Sequence, residues 1–142
     1  MVLNKHSSFY MRNGWGTKIL LAVNEDKHIF SPSKEQEAVD NLGVGRIMIK
    51  ALRYWAVAMG LTTEGKDAEG IVQEKTDIFK ALEFSDIYFQ RQGSLLLMHR
   101  SLALNKEEAT AWYWLFNEWG SNSICKEEFI DAFYLYLTVN GV

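Results

Sequence analysis

The sequence of 142 residues predicts a mainly α-helical protein whose amino-terminal part is a winged helix-turn-helix. A short helix, a glycine-containing turn and a longer helix follow one another between residues 33 and 59. A segment with the pattern of a β-hairpin comes next, and the remaining residues have helical periodicity. Because 48% of the residues are hydrophobic and 13% are aromatic, with one proline, we expect a folded chain rather than a disordered one.

The first predicted helices are short and have clear boundaries. Residues 17–23 are mostly apolar and predict a short helix. Ser31 precedes a proline and is the expected cap of a second helix, in which Ser33 and Gln36 have the spacing of a capping box. We expect this helix to end at residue 42, since Gly43 favours the left-handed conformation that terminates helices.

The longer helix, predicted at 46–59, is amphipathic. At about 100° per residue, its three basic residues fall on one face and its larger apolar residues on the other. The helix has no acidic residue, which is typical of a recognition helix that contacts DNA through its basic side. An ordinary amphipathic helix with a solvated basic face is the alternative. The basic residues are Arg46, Lys50 and Arg53, and the apolar residues are Met48, Leu52, Trp55 and Met59.

A β-hairpin is predicted after that helix, with strands at 61–63 and 71–74 around a polar loop at 64–70. In this position the hairpin would be the wing of a winged helix-turn-helix. We therefore expect residues 1–76 to form a DNA-binding part. Residues 77–142 are expected to be a helical part that shares the core or forms an interface. Its predicted helices are 77–84, 94–104, 106–118 and 126–138.

The charge is distributed unevenly along the chain. The net charge is −3, yet residues 1–60 have a balance of +3 and residues 61–142 a balance of −6. A polyanion is therefore expected to contact the first part of the chain. Arg12 and Lys18 are candidates to extend the basic surface, as is Lys66, which lies at the predicted tip of the wing. For each of the three, solvated surface charge is the alternative.

A segment rich in aromatic residues, 111–119, contains three of the five tryptophans. Aromatic rings can stack on unpaired bases, but such a surface normally needs cations nearby, and no lysine or arginine lies between residues 107 and 120. We therefore expect Trp112, Trp114 and Trp119 to form part of the core and a protein interface. The acidic residues that flank them are Glu107, Glu108 and Glu118.

The sequence contains no recognisable catalytic motif. His6, His28 and His99 are widely separated, so no metal site is predicted, and no cofactor is identified. The single cysteine, Cys125, cannot form an internal disulfide. No apolar stretch approaches the length of about 20 residues needed to span a membrane, and no signal peptide is apparent, so a cytoplasmic location is expected.

Three motifs, in the same order along nearly the whole chain, resemble those of a known family. The first, residues 6–15, has a histidine, an aromatic residue, an arginine and the pair Gly-Trp. The second, residues 41–48 followed by 53–55, is similar to the family's Leu-Gly-Val-Gly-Lys-Asn-Met and Arg-Tyr-Trp. The third, residues 109–117, is similar to Ala-Thr-Thr-Trp-Tyr-Trp followed by Phe-Asn. The chain thus resembles a bacterial domain family of unknown function that is encoded in DNA phosphorothioation clusters of the Dnd and Ssp kind, near genes related to phosphoadenosine phosphosulfate reductases.

The resemblance implies a role in DNA modification or phage defence and, in the Ssp branch, in DNA nicking. Family members are typically longer, so we expect this chain to correspond to an amino-terminal part or a short form. Together with the basic helix, the resemblance favours a DNA-binding component. Its expected partners are duplex DNA and other proteins of the phosphorothioation system, and a homo-oligomer is left open. The alternatives are a metal-dependent nicking nuclease, for which no catalytic residue is assigned, and a protein-interaction scaffold without DNA contact.

Overall fold

Seven α-helices, one 3-10 helix and a two-stranded antiparallel sheet make up residues 5–141, the part of the chain that this computed structural model describes. The predicted mainly helical class is confirmed. None of the helices in this part is long and apolar enough to cross a membrane. In chain order the elements are α1 (Trp15–Glu25), the 3-10 helix (Pro32–Lys34), α2 (Glu35–Leu42), α3 (Arg46–Ala58), β1 (Thr62–Asp67), β2 (Gly70–Lys75), α4 (Asp77–Ser85), α5 (Gln92–Leu104), α6 (Thr110–Asn117) and α7 (Lys126–Val139).

The turn between α2 and α3 is built as the sequence predicts. Gly43 has a φ of 63°, in the left-handed region that glycine adopts without steric cost, and its N–H donates to the carbonyl of Val39 at 2.9 Å. Gly45 then precedes the first turn of α3. This short connection brings α2 and α3 into contact with each other and with α1.

Ser31 occupies the predicted N-cap position directly before Pro32, at the start of the 3-10 helix, but its side chain does not cap that helix. Its hydroxyl bridges instead to β2, where it accepts from the N–H of Ile71 at 2.7 Å and donates to the carbonyl of the same residue at 3.0 Å. The predicted capping box is also wrong, because Gln36 donates to Asp40 at 3.0 Å and no side chain caps α2. The serine therefore fastens the hairpin to the segment before α2.

The hairpin strands are longer than predicted, and the predicted loop at 64–70 is wrong. Most of those residues continue β1, and the two strands pair from Thr62 opposite Lys75 to Asp67 opposite Gly70. The polar residues that suggested a loop lie instead on an exposed strand. As a result Lys66 pairs with Ile71 within the sheet and does not occupy the tip.

The predicted apolar face of α3 is confirmed by its burial. Leu52, Trp55 and Met59 are buried, and Met48 is half-buried. The core around them continues from α1 through α4 and α5 to Ala109 at the start of α6. Residues of α4 and α5 thus pack in the same core as α1 and α3, and the division of the chain at residue 76 stays a prediction.

The helices α5 and α6 begin at different residues from those predicted, because the polar residues chosen as caps have other partners, whereas α4 and α7 begin at Asp77 and Lys126 as predicted. Ser94 lies inside α5 and donates to Asp86 at 2.6 Å. Asn105 closes a turn by accepting from the N–H of Glu108 at 3.0 Å, so α6 begins only at Thr110. The N-cap of α7 is Cys125, whose sulfur accepts from the N–H of Glu128.

Replacing Trp55 by alanine should lower the free energy of unfolding by about 3–5 kcal/mol, because the indole is 2% exposed and its N–H donates to the carbonyl of Phe9 at 2.8 Å. Urea unfolding followed by circular dichroism measures this. Phe84→Ala is the control, since that ring is 95% exposed and its loss should cost less than about 0.5 kcal/mol. Equal effects of the two substitutions would contradict the burial of Trp55.

Candidate nucleic-acid interface

A concave surface, which we call the α3–hairpin groove, runs between α3 and the β-hairpin. It consists of three adjoining cavities of about 390, 170 and 570 Å³, and the side chain of Arg53 lines all of them. Both basic and acidic side chains line it. The charged residues that line it are Lys5, Lys50, Arg53, Lys66, Glu35, Glu64 and Glu108.

Arg46 and Lys50 are the exposed cations of α3. Arg46 makes only loose contacts with α2: its guanidinium lies 3.5 Å from a carboxylate oxygen of Glu35 and donates to Gln36 at 3.2 Å. The ammonium of Lys50 has no hydrogen bond or ion pair with any residue from 5 to 141. Both side chains are available to an anion at the amino-terminal end of α3.

Arg53 is placed differently from the exposed position that the helical periodicity predicts. Its side chain is 33% exposed and donates two hydrogen bonds, each of 2.6 Å, to the two carboxylate oxygens of Glu64 on β1. Glu64 also accepts from Gln73 at 2.8 Å, and Gln73 in turn accepts from Thr62 at 2.6 Å. The predicted basic face therefore contains one cation that is already paired.

The pair shifts the pKa of both partners. The two hydrogen bonds from Arg53 lower the pKa of Glu64 below its ordinary value, against the opposing effect of burial, and the bond from Gln73 adds to the lowering. The pKa of Arg53 is raised by the same hydrogen bonds. At neutral pH the groove thus contains a fixed carboxylate directly beside the basic face of α3.

The other predicted DNA-contacting residues have varied surroundings. Arg12 is exposed and lies over the rings of Phe9 and Trp15, at 5.6 and 5.7 Å from their centroids. Lys18 donates to the carbonyl of Leu42 at 2.6 Å and so completes the carboxyl end of α2. Lys66 is exposed on β1 at the edge of the groove. Only Lys66 therefore joins the α3 cations on one surface.

Lys5 is a groove residue that the sequence reasoning missed. It lines the cavity of about 390 Å³ together with Lys50, and its ammonium lies 3.3 Å from a carboxylate oxygen of Glu108. Next to it, the buried Tyr54 hydroxyl donates to the carbonyl of Glu108 at 2.7 Å, and burial raises the pKa of Tyr54 to about 12. No local pattern marks Lys5, because its neighbours in the groove are distant in the sequence.

The aromatic segment 111–119 is partly buried, with Trp114 inside the molecule and Phe116 exposed. Trp112 packs edge-on against Trp55 with ring centroids 5.5 Å apart, and Trp114 is buried against Phe133 of α7 at 5.2 Å. Trp119 is half-buried beside Trp114 at 5.6 Å. The expected core role is confirmed for Trp114, whereas the interface role of the three tryptophans stays a prediction.

The acidic residues near the hairpin tip surround a histidine. The ring of His28 is buried and lies 2.9 Å from a carboxylate oxygen of Asp67, 3.6 Å from one of Glu69 and 3.8 Å from one of Asp26. The hydrogen bond with the ring of His28 lowers the pKa of Asp67. Asp26 also pairs with Lys34. The cluster thus holds the tip of the hairpin against the segment that follows α1.

The comparisons with known proteins identify the family. The model described as "Protein of unknown function (DUF4007)" matches residues 3–140. The chain belongs to the DUF4007 family. This confirms the predicted membership of a domain family of unknown function. The comparison with curated proteins gave no match.

Two solved structures share the fold of this chain. One is described as the magnesium ion-bound SspB crystal structure, with a TM-score of 0.80, 24% identity and coverage of 97% of this chain and 42% of that chain. The other, described as the SspB crystal structure, has a TM-score of 0.81, 24% identity and coverage of 99% and 44%. At this identity the likeness establishes the fold, and our chain spans less than half the length of SspB.

Magnesium, present in one SspB structure, does not fit the side chains described for this chain. Within residues 5–141, no group of three or more histidine, cysteine or carboxylate residues is arranged to hold a metal ion. The carboxylates near the hairpin tip already have partners within the chain, because Asp67 contacts His28 and Asp26 contacts Lys34. A magnesium site would need several free oxygen ligands.

Arg53→Met should raise the pKa of Glu64, because the substitution removes the guanidinium and leaves the burial in place. In the parent protein the lowered pKa means that the ion pair stabilises the fold above the ordinary value of 4.5. This contribution is lost as the pH falls through the lowered value. Carbon-13 NMR titration of the side-chain carboxyls measures the pKa. Asp67 is the internal control, and an unchanged Glu64 titration would contradict the pairing.

Proposed function

We propose that this chain is a winged-helix, DNA-binding component of a bacterial DNA phosphorothioation and defence system. The motifs that resemble the phosphorothioation-associated family, the membership of the DUF4007 family and the fold shared with SspB support this assignment. In this proposal α3 is the recognition helix and the β-hairpin is the wing.

The winged-helix assignment is supported by the order and contacts of the elements. The helices α1, α2 and α3 are followed directly by β1 and β2, as in a helix-turn-helix with a wing. In addition, the segment before α2 lies along β2: the N–H of Gln73 donates to the carbonyl of Lys27 at 2.8 Å, and Ser31 bridges to Ile71. The hairpin is thereby held beside α3, where a wing would flank the bound duplex.

The observation that carries the DNA-binding proposal is the ammonium of Lys50 in the α3–hairpin groove, which has no hydrogen bond or ion pair within residues 5–141. It lies one helical turn after Arg46, on the outer face of α3, and Lys66 lies across the groove on β1. Cations on a helix and on an adjoining hairpin are suited to phosphates on the two sides of a groove of DNA. Arg12 and Lys18 are proposed only as peripheral contacts, because both already have partners within the chain.

The carboxylates of the groove limit how strongly it attracts DNA. Glu35 lies beside Arg46 and Glu64 beside Arg53, so the potential of the basic face is partly neutralised. We therefore expect binding that depends on a few phosphate contacts and weakens with salt. In this proposal residues 1–76 form the DNA-binding part, and residues 77–142 brace α3 through the shared core.

Replacing Arg46 and Lys50 together by alanine should weaken duplex binding and lower the slope of log affinity against log salt by about 1.8, since each phosphate contact contributes roughly 0.9. Gel-shift titrations at several salt concentrations measure both. The control is the double substitution of Arg100 and Lys126 by alanine, which removes the same charge from exposed positions on α5 and α7. Equal loss in the two double variants would mean that the contact is not localised to α3.

The same titrations distinguish the other functions considered for this chain. Cleavage of the duplex when magnesium is added would favour a nicking nuclease. Absence of binding by the parent protein at every salt concentration would overturn the DNA-binding proposal and favour a protein-interaction scaffold.

A protein interface on α7 is a second proposed function. This helix exposes an apolar surface, and the Tyr134 side chain there is 71% exposed. Large exposed apolar patches commonly mark interaction sites. We propose that a second copy of the chain covers it. The exposed apolar residues of α7 are Ile130, Tyr134, Leu135 and Val139.

Replacing Tyr134 and Leu135 together by glutamate should abolish self-association, because two charges would have to be buried in an apolar contact. Sedimentation velocity over a range of concentrations measures the oligomeric state. Leu95→Glu, on an exposed position of α5, is the control and should leave the association unchanged. A parent protein that stays monomeric throughout would contradict the proposal.

A further inference from the structure

Arg53 and Glu64 form a charged pair inside the proposed DNA-binding groove, and the parts of the molecule around them are held independently of that pair. Three contacts fix the hairpin on its other side: Ser31 with Ile71, the Lys27 carbonyl with the N–H of Gln73, and His28 with Asp67. None of these contacts involves α3. The hairpin therefore does not need Arg53 to stay in place.

Glu64 has a second partner that keeps it fixed when Arg53 moves. Gln73 is 1% exposed and donates to Glu64 at 2.8 Å, while its own carbonyl oxygen accepts from the buried Thr62 hydroxyl. Gln73 of the sheet thus keeps the Glu64 carboxylate in place. The guanidinium of Arg53, in contrast, has no hydrogen bond to any residue from 5 to 141 other than Glu64, so its charged end is tied to the protein only through Glu64.

The geometry of the pair defines what can replace Glu64. Both hydrogen bonds are 2.6 Å long and engage the two oxygens of one carboxylate. The planar fork of arginine makes the same paired contact with two oxygens of a phosphate, or with the O6 and N7 of guanine. A single acceptor cannot satisfy both donors and would leave one of them unpaired.

We propose that Glu64 determines the affinity and specificity of this groove by holding Arg53 until a bidentate acceptor of DNA takes its place. The inference rests on the proposed DNA-binding function and adds to it a residue that opposes binding. Weak or misaligned phosphate contacts do not compensate for the loss of the carboxylate, so they leave Arg53 paired with Glu64. Only an acceptor in the right register recruits the arginine.

Glu64→Gln tests the proposal, because glutamine keeps the size of the side chain and an acceptor for Gln73 while it removes the charge. We expect the affinity for a duplex of random sequence to rise about fivefold, the upper range for a partly exposed ion pair. The salt slope should also increase by roughly 0.9, since Arg53 becomes an additional phosphate contact.

Glu83→Gln is the matched control. Glu83 pairs with Lys75 at 3.5 Å, and the two side chains are 34% and 35% exposed, close to the 29% and 33% of Glu64 and Arg53. The substitution Glu83→Gln removes the same charge at a site away from the groove. It should therefore leave both the DNA affinity and the slope of log affinity against log salt nearly unchanged. A rise equal to that of Glu64→Gln would show a general effect of net charge and overturn the proposal.

The double variant Arg53→Ala/Glu64→Gln distinguishes two causes of tighter binding. One is release of Arg53 from its ion pair, and the other is loss of the repulsion between the Glu64 carboxylate and DNA. The gain seen in Glu64→Gln should disappear when Arg53 is absent, which a double-mutant cycle detects as coupling. A gain that persists without Arg53 overturns the proposal. If the parent binds DNA and Glu64→Gln does not bind more tightly, this inference fails alone. If neither binds, the proposed function fails, and the inference with it.

Discussion

Burial of Trp55 is the constraint on which the arrangement of this fold depends. The indole is held at its N–H by the carbonyl of Phe9, against one face by the ring of His6 at 5.6 Å, and at its edge by Trp112. These contacts come from two separate parts of the chain, residues 6–9 and Trp112, and fix the rotation of α3 about its axis. Once that rotation is fixed, Arg46 and Lys50 must point outward.

The hairpin is positioned by polar contacts rather than by a large apolar face. Its outer edge is joined to the segment before α2 by Ser31, and its tip is held by His28. Gly70 has a φ of 123°, and a Cβ there would lie 2.6 Å from the Ser31 side-chain hydroxyl, so both the backbone conformation and the close approach of Ser31 favour glycine. These polar contacts fix the direction of the hairpin without burying a large surface area, and they leave one long side of β1 open to the groove.

Patterns that act over one or two helical turns could be predicted from the sequence. The buried side of α3 and the left-handed Gly43 follow from periodicity and from the conformational freedom of glycine. The partners of Arg53 and Lys18 could not be predicted, because Glu64 and the Leu42 carbonyl are 11 and 24 residues away along the chain. The hydroxyl of Ser31 was misassigned for the same reason: its partner is 40 residues distant. Local sequence patterns predict α3 and its buried side, whereas contacts formed only in the folded chain determine which of its charged side chains are paired.

The sulfur cap of α7 has a practical consequence for spectroscopic work. Cys125 is exposed and is the single cysteine of the chain, which makes it an obvious point of attachment for a fluorophore or spin label. Its sulfur, however, accepts from the N–H of Glu128, whose carboxylate in turn accepts from the N–H of Cys125 at 2.9 Å. A maleimide adduct would crowd this reciprocal pair and loosen the first turn of α7. A probe there reports on an altered helix start, so an engineered cysteine in a Cys125→Ser background is the better choice, since serine is itself a preferred N-cap.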